Sequence, residues 1–133
     1  MSTLIEEFKK EHSEIIDALK ECKELGIFTK KGQAKLILVK ESLFEHSKEE
    51  EERVYPTLWK EAEQNLKLKE SLEIFEKDWG NVCSFAFGIF DKYEKEVLCD
   101  SLMMDFETLF SVLRNRMRNE EDFLFDEYER IGQ

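Results

Sequence analysis

The chain has 133 residues, 41% of them hydrophobic and 38% charged, with five glycines and one proline; this suits one domain with a single core and excludes a disordered chain. So little glycine and proline disfavours a strand-and-turn architecture and suits long amphipathic helices. A formal net charge of -11 makes a poor partner for nucleic-acid backbones or an anionic membrane surface, whereas cations fit it.

Four helical segments are expected, within one domain spanning 1-133. The first runs from about Thr3 to Leu25, with Ser2 or Thr3 as cap and Gly26 as terminator. Its apolar stripe is Leu4, Ile5, Phe8, Ile15, Ile16 and Leu19. His12 fills the gap in that stripe, four residues after Phe8 and three before Ile15, so it points toward the core.

The second runs from about Lys30 to Tyr55. Its stripe is Leu36, Val39, Leu43, His46, Glu50 and Val54, in steps of three or four. His46 and Glu50 therefore continue the buried face, while Glu49 and Glu52 point to solvent. Pro56 breaks or kinks the helix, with a further turn or two through Trp59.

The third segment runs from about Lys67 to Leu98, with a stripe of Ile74, Phe75, Asp78, Val82, Phe85, Ile89, Tyr93 and Val97. Asp78 is its lone charge, and Gly80 and Gly88 allow a bend or close packing. The fourth runs from about Ser101 to Ile131 with Asp100 as N-cap and Gly132 at its end. Phe106, Leu109, Phe110, Leu113, Met117, Glu120 and Leu124 form its stripe, bordered by Arg116. The aromatic residues Phe85, Phe87, Phe90, Phe106 and Phe110 are expected in the core.

Short connections between long helices make neighbours antiparallel, so the expected fold is all-α, an up-down-up-down four-helix bundle. His12 lies 14 residues before Gly26 and His46 lies 15 after Lys31, which puts both at one level. Asp78 lies 20 residues before Leu98 and Glu120 lies 20 after Asp100, a second shared level. Ionised groups are rarely buried without a partner or a metal. His12, His46, Glu50, Asp78 and Glu120, drawn from every helix, are therefore candidate metal ligands. Imidazole with carboxylate suits iron, manganese or zinc. Spacing leaves open whether Glu120 or Glu121 points inward.

Here the sequence resembles a family. "HSKEEEERVYP" is similar to the hemerythrin-like (HHE cation-binding) motif, a His followed by Glu, two apolar residues and Pro, here His46, Glu50, Glu51, Val54, Tyr55 and Pro56. "RMRNEEDFLFD" has the same skeleton with Glu120, Glu121, Leu124 and Phe125 in register, but Arg116 stands where the family has His. "EHSEIIDAL" resembles the family's opening segment with His12 as ligand. The resemblance implies a non-heme metal, iron above all, and partners such as O2, peroxide or nitric oxide. It also implies a sensing, redox-protective or iron-handling role. The oxygen carriers use five histidines; this chain has two, so reversible oxygen transport is excluded. The alternative is a metal-free bundle acting as a regulatory or interaction module, with Arg116 replacing the metal charge and binding Glu50, Asp78 or Glu120 bidentately.

Other chemistries find no support. Ferritin-like sites need Glu three residues before His, where this chain has Lys9 and Leu43. No nucleophile elbow or phosphate loop occurs, and nothing calls for enzymatic turnover. Cys22, Cys83 and Cys99 lack a C-x-x-C spacing, which argues against a disulfide framework or a thiolate zinc site and fits a reducing compartment. Cys22 and Cys99 could approach at one bundle end as a redox pair. The N-terminus is too polar for a signal peptide, and the expected location is cytoplasmic.

Overall fold

The structure of the chain is a computed structural model that describes residues 3–95 and 101–132. Among them the chain is helical, with no strand. The expectations for Ser2, Val97, Leu98, Cys99 and Asp100 fall outside the described residues.

Helix α1 (Thr3–Leu25) buries Ile5, Phe8, His12, Ile15, Leu19 and Cys22, alternating steps of three and four that keep one face inward. Gly26 ends it at φ +96°, a left-handed conformation that glycine adopts without strain. Its N–H donates to the Cys22 carbonyl at 3.1 Å. Helix α2 (Lys30–Arg53) starts at Thr29, whose hydroxyl accepts from the Gly32 N–H at 3.0 Å.

α2 is not cut sharply by Pro56. Val54 stays in the right-handed region and its N–H still bonds the Glu50 carbonyl at 2.9 Å. Helix α3 (Tyr55–Ala62) begins beside it with Pro56 in the first turn, where a missing N–H costs nothing. Asn65 caps α4 (Leu66–Glu94), accepting from the Leu68 N–H at 3.1 Å. α5 (Ser101–Asn119) passes through a π-helical segment, Glu120–Leu124, into α6 (Phe125–Ile131).

The inward line of α4 differs from the expected stripe. Leu72, Phe75, Trp79, Val82, Ala86, Ile89 and Tyr93 follow steps of three and four and lie buried or half-buried. Ile74 and Asp78 each precede a member of that line by one residue, about 100° around the helix, and both are exposed. Phe87 is exposed too and stacks on Phe44 at 4.7 Å. Gly80 and Gly88 make no close approach: a Cβ at either would meet nothing within 4 Å.

Ion pairs and ring contacts fix how the helices run. Glu21 meets Lys35 and Glu11 meets His46, so α1 and α2 are antiparallel. Lys92 meets Asp105 and Asp78 meets Arg116, so α4 and α5 are antiparallel. Lys40 meets Glu94 across α2 and α4, and Lys23 meets Glu107 across α1 and α5.

The apolar core falls into two clusters. One joins Ile15, Leu19, Leu43, Val82, Leu109, Leu113 and their neighbours. The other joins Ile5, Phe8, Val54, Leu58, Leu72, Leu124 and Phe125. Along α1, α2 and α5 with its π-helical extension, the buried residues between the clusters are His12, His46, Glu50, Arg116 and Glu120. The polar residues therefore form a layer across the core.

The turn between α1 and α2 depends on Gly32, because a Cβ there would lie 1.9 Å from the Gly26 carbonyl oxygen. Gly32→Ala is expected to destabilise the fold by about 1–3 kcal/mol. Gly80→Ala, which meets nothing, should gain up to about 1 kcal/mol of helix propensity. Thermal melts of the two variants beside the parent check both signs.

Candidate metal centre

The polar layer brings together His12, His46, Glu50 and Glu120, each at most 5% exposed, with one ligand atom of each within 4.8 Å of all the others. The two imidazole rings lie 4.6 Å apart between centroids. His12 Nε2 is 3.0 Å from Glu120 Oε1 and 3.5 Å from Glu50 Oε1. Glu50 Oε1 also touches His46 Nε2. Yet His12 Nε2, His46 Nε2 and Glu50 Oε1 make no directed hydrogen bond. Three buried polar atoms thus converge without being satisfied by one another, an arrangement that is costly unless something sits among them.

The far side of each ring is held. His12 Nδ1 lies 3.0 Å from Glu121 Oε2, and His46 Nδ1 lies 2.8 Å from Glu11 Oε2. A carboxylate on Nδ1 fixes the proton there and leaves Nε2 as a lone-pair donor toward the centre, the arrangement usual behind metal-binding histidines. A void of about 10 Å³ adjoins His12, His46, Arg116 and Glu120, room for about one small ion or water. His12, His46, Glu50 and Glu120 could together hold a metal ion.

The π-helical segment resolves the ambiguity between Glu120 and Glu121. On an ideal helix, adjacent residues point about 100° apart and only one would face His12. The wider turn at Glu120–Leu124 lets both reach it: Glu120 takes Nε2 from within, and Glu121, one-third exposed, takes Nδ1 from the rim. Such π segments are frequent at functional sites.

Asp78 is not part of the cluster. Its side chain is 53% exposed and its Oδ2 accepts from Arg116 Nη1 at 3.0 Å. Arg116 itself is buried, with a partner at each of its three nitrogens. Nε donates to Glu120 Oε2 at 2.9 Å, Nη1 also to the Phe75 carbonyl at 2.7 Å, and Nη2 to the Tyr55 hydroxyl at 3.0 Å. The guanidinium lies 4.9 Å from the Phe75 ring centroid and 5.4 Å from that of Trp79. It thus reaches the outer oxygen of Glu120 and forms no ion pair with Glu50. A cavity of about 380 Å³, bounded by Tyr55, Trp59, Trp79 and Arg116, opens onto Glu50 and Glu120.

Sequence reasoning missed Glu11 as a partner of His46 and Tyr55 as a partner of Arg116. Glu11 stands among Glu6, Glu7 and Glu14 with nothing to mark it. The one usable signal is its place beside His12, on the flank that a neighbouring helix must cover. Of the described thiols, burial pushes Cys83 up and Cys22 up to about 11.

With protons rather than a metal on the rings, the layer is an ion network. Burial pulls the His12 pKa down, but Glu120, Glu50 and Glu121 outweigh it and hold it up at about 10; His46 is raised in the same way by Glu50 and Glu11. Glu50, despite burial, is pulled down to about 2 by the two imidazoles. Glu120 goes the other way, raised by burial and by Glu50. A metal on Nε2 would displace those protons. No known protein family, curated protein or solved structure matches the chain.

The His12 shift sets an alkaline limit on the metal-free protein. Its stabilising contribution is complete below the unfolded value of 6.5 and is lost as pH rises toward about 10. Metal-free protein should lose up to a few kcal/mol over that window, read as a falling melting temperature. In His12→Gln the same pH series should be flatter.

Proposed function

We propose that the chain is a hemerythrin-like protein that binds a non-heme metal, most readily iron, in an up-down-up-down four-helix bundle formed by α1, α2, α4 and α5 with their extensions. The antiparallel pairs support the arrangement, and the motif residues His46, Glu50 and Glu120 support the family. The observation that carries the metal reading is the pair of unsatisfied Nε2 atoms converging with Glu50 and Glu120, each ring backed by a carboxylate on Nδ1.

His12 and His46 are the nitrogen donors, and Glu50 and Glu120 the oxygen donors. Two imidazoles with two carboxylates form a donor set that iron and manganese accept. When bound, iron would supply one-electron chemistry toward O2, peroxide or nitric oxide. The chain's own part is to hold the donors in a buried layer and keep the Nε2 lone pairs facing inward. It also offers one approach, the cavity past Trp59 and Trp79 onto Glu50 and Glu120. A sensing, redox-protective or iron-handling role in the cytoplasm fits this set, and reversible oxygen carriage does not.

A second reading rests on Arg116. Its hydrogen bonds from every nitrogen inside the layer are what a metal-free ion network would also need, and such a bundle would act through protein partners. The two readings part on one measurement: metal content by mass spectrometry of untagged protein from iron-supplemented growth, with an absorption spectrum of the same sample. Near-stoichiometric iron with near-ultraviolet absorption, both lost in His46→Ala, is expected. Metal-loaded protein should also melt higher than chelator-treated protein, by about 4 kcal/mol at a thousandfold excess over Kd. Only traces of metal, with no uptake on anaerobic iron addition, would leave the network reading standing.

A further inference from the structure

Resting on the metal reading above, we infer that the centre takes a single metal ion, and that Arg116 occupies the place of a second cation and excludes it. Glu120 is the hinge of the argument. Its Oε1 faces His12 Nε2 at 3.0 Å, and its Oε2 accepts from Arg116 Nε at 2.9 Å. A carboxylate that bridges two metals with one oxygen on each needs both oxygens free, and here one is already committed to a guanidinium that stays charged at any working pH.

Arg116 cannot swing away cheaply. It is buried, and Glu120, Asp78, the Phe75 carbonyl and Tyr55 hold its nitrogens, while Phe75 and Trp79 cover it. Leaving that pocket would strand a buried carboxylate and a carbonyl. The donors a second ion would use, Asp78 and the outer oxygen of Glu120, are the groups Arg116 binds. It draws them together as a cation would.

Charge decides the same way. Among the fully buried groups, Glu50 and Glu120 carry two negative charges and Arg116 one positive. One dication leaves a single excess positive charge, which Glu11, Glu121 and Asp78 at the rim can offset. A second dication would place two more positive charges beside a fixed guanidinium in a low-dielectric layer, where like charges repel strongly. The void of about 10 Å³ beside His12, His46, Arg116 and Glu120 has room for about one small ion.

The test is a manganese(II) titration of metal-stripped protein. It is followed by paramagnetic resonance and by the fluorescence of Trp59 and Trp79, the chain's two tryptophans, both of which line the cavity beside Glu50 and Glu120. The parent chain should saturate at one equivalent with the signal of an isolated ion. Arg116→Gln removes the charge and frees Asp78 and Glu120 Oε2; it should take up a second equivalent with a spin-coupled signal, whereas Arg116→Lys, which keeps the charge, should stay at one. Two equivalents in the parent would overturn the inference and leave the metal reading intact. So would a folded Arg116→Gln that stays at one. No manganese in any of them would overturn the metal reading and this inference with it. If glutamine prevents folding, the parent's count still decides.

Discussion

Five ionisable side chains share one buried layer, and the rest of the fold is arranged around that constraint. His12, His46, Glu50, Arg116 and Glu120 interrupt what would otherwise be a continuous apolar core. An unpaired charge in such a place costs several kcal/mol, so every one has an opposite charge within reach. The pairing has to be exact in number as well as in position. Loss of any one member strands another, which makes the layer a single unit and not a set of separate bonds.

The helices meet this demand through their ends and irregularities. The tight turn at Gly26 and Thr29 brings α2 back alongside α1 with the histidines level. The near-continuous passage from α2 to α3 through Val54 keeps Tyr55 within reach of Arg116. The π-helical segment at Glu120–Leu124 turns two consecutive glutamates onto one imidazole. On a regular helix, two consecutive glutamates point about 100° apart, and only one of them would face His12.

The inward placement of His12, His46 and Glu50 was legible because each sits at a step of three or four within an apolar stripe. The shared level of the histidines followed from counting out from one short loop. Glu120 was legible in the same way, but its rivalry with Glu121 was not, since π geometry is set by tertiary demand and leaves no local signal. Asp78 misled because the stripe of α4 was started one residue early, at Ile74. The true line through Phe75 and Trp79 is half polar in its surroundings: it faces a guanidinium and not a leucine. The partners Glu11 and Tyr55 were invisible, because the sequence marks which face a residue occupies but not which of several acids a neighbouring helix will meet.

A bundle of this size has no need of such a layer for stability. Replacing a buried ion network with apolar side chains of similar volume is often neutral, or stabilising by about 1–4 kcal/mol. Leucines at the positions of His12, His46, Glu50 and Glu120 would join the two apolar clusters into one. Stability alone therefore does not account for the layer. The network is also unevenly satisfied. Arg116 has a partner at every nitrogen, while the two Nε2 atoms and Glu50 Oε1 have none of proper geometry. A layer that served only to neutralise itself would have no reason to be complete on the arginine side and open on the histidine side. Among the layer's residues, that asymmetry leaves the open polar atoms on the side of His12, His46 and Glu50, in the group that could hold a metal ion.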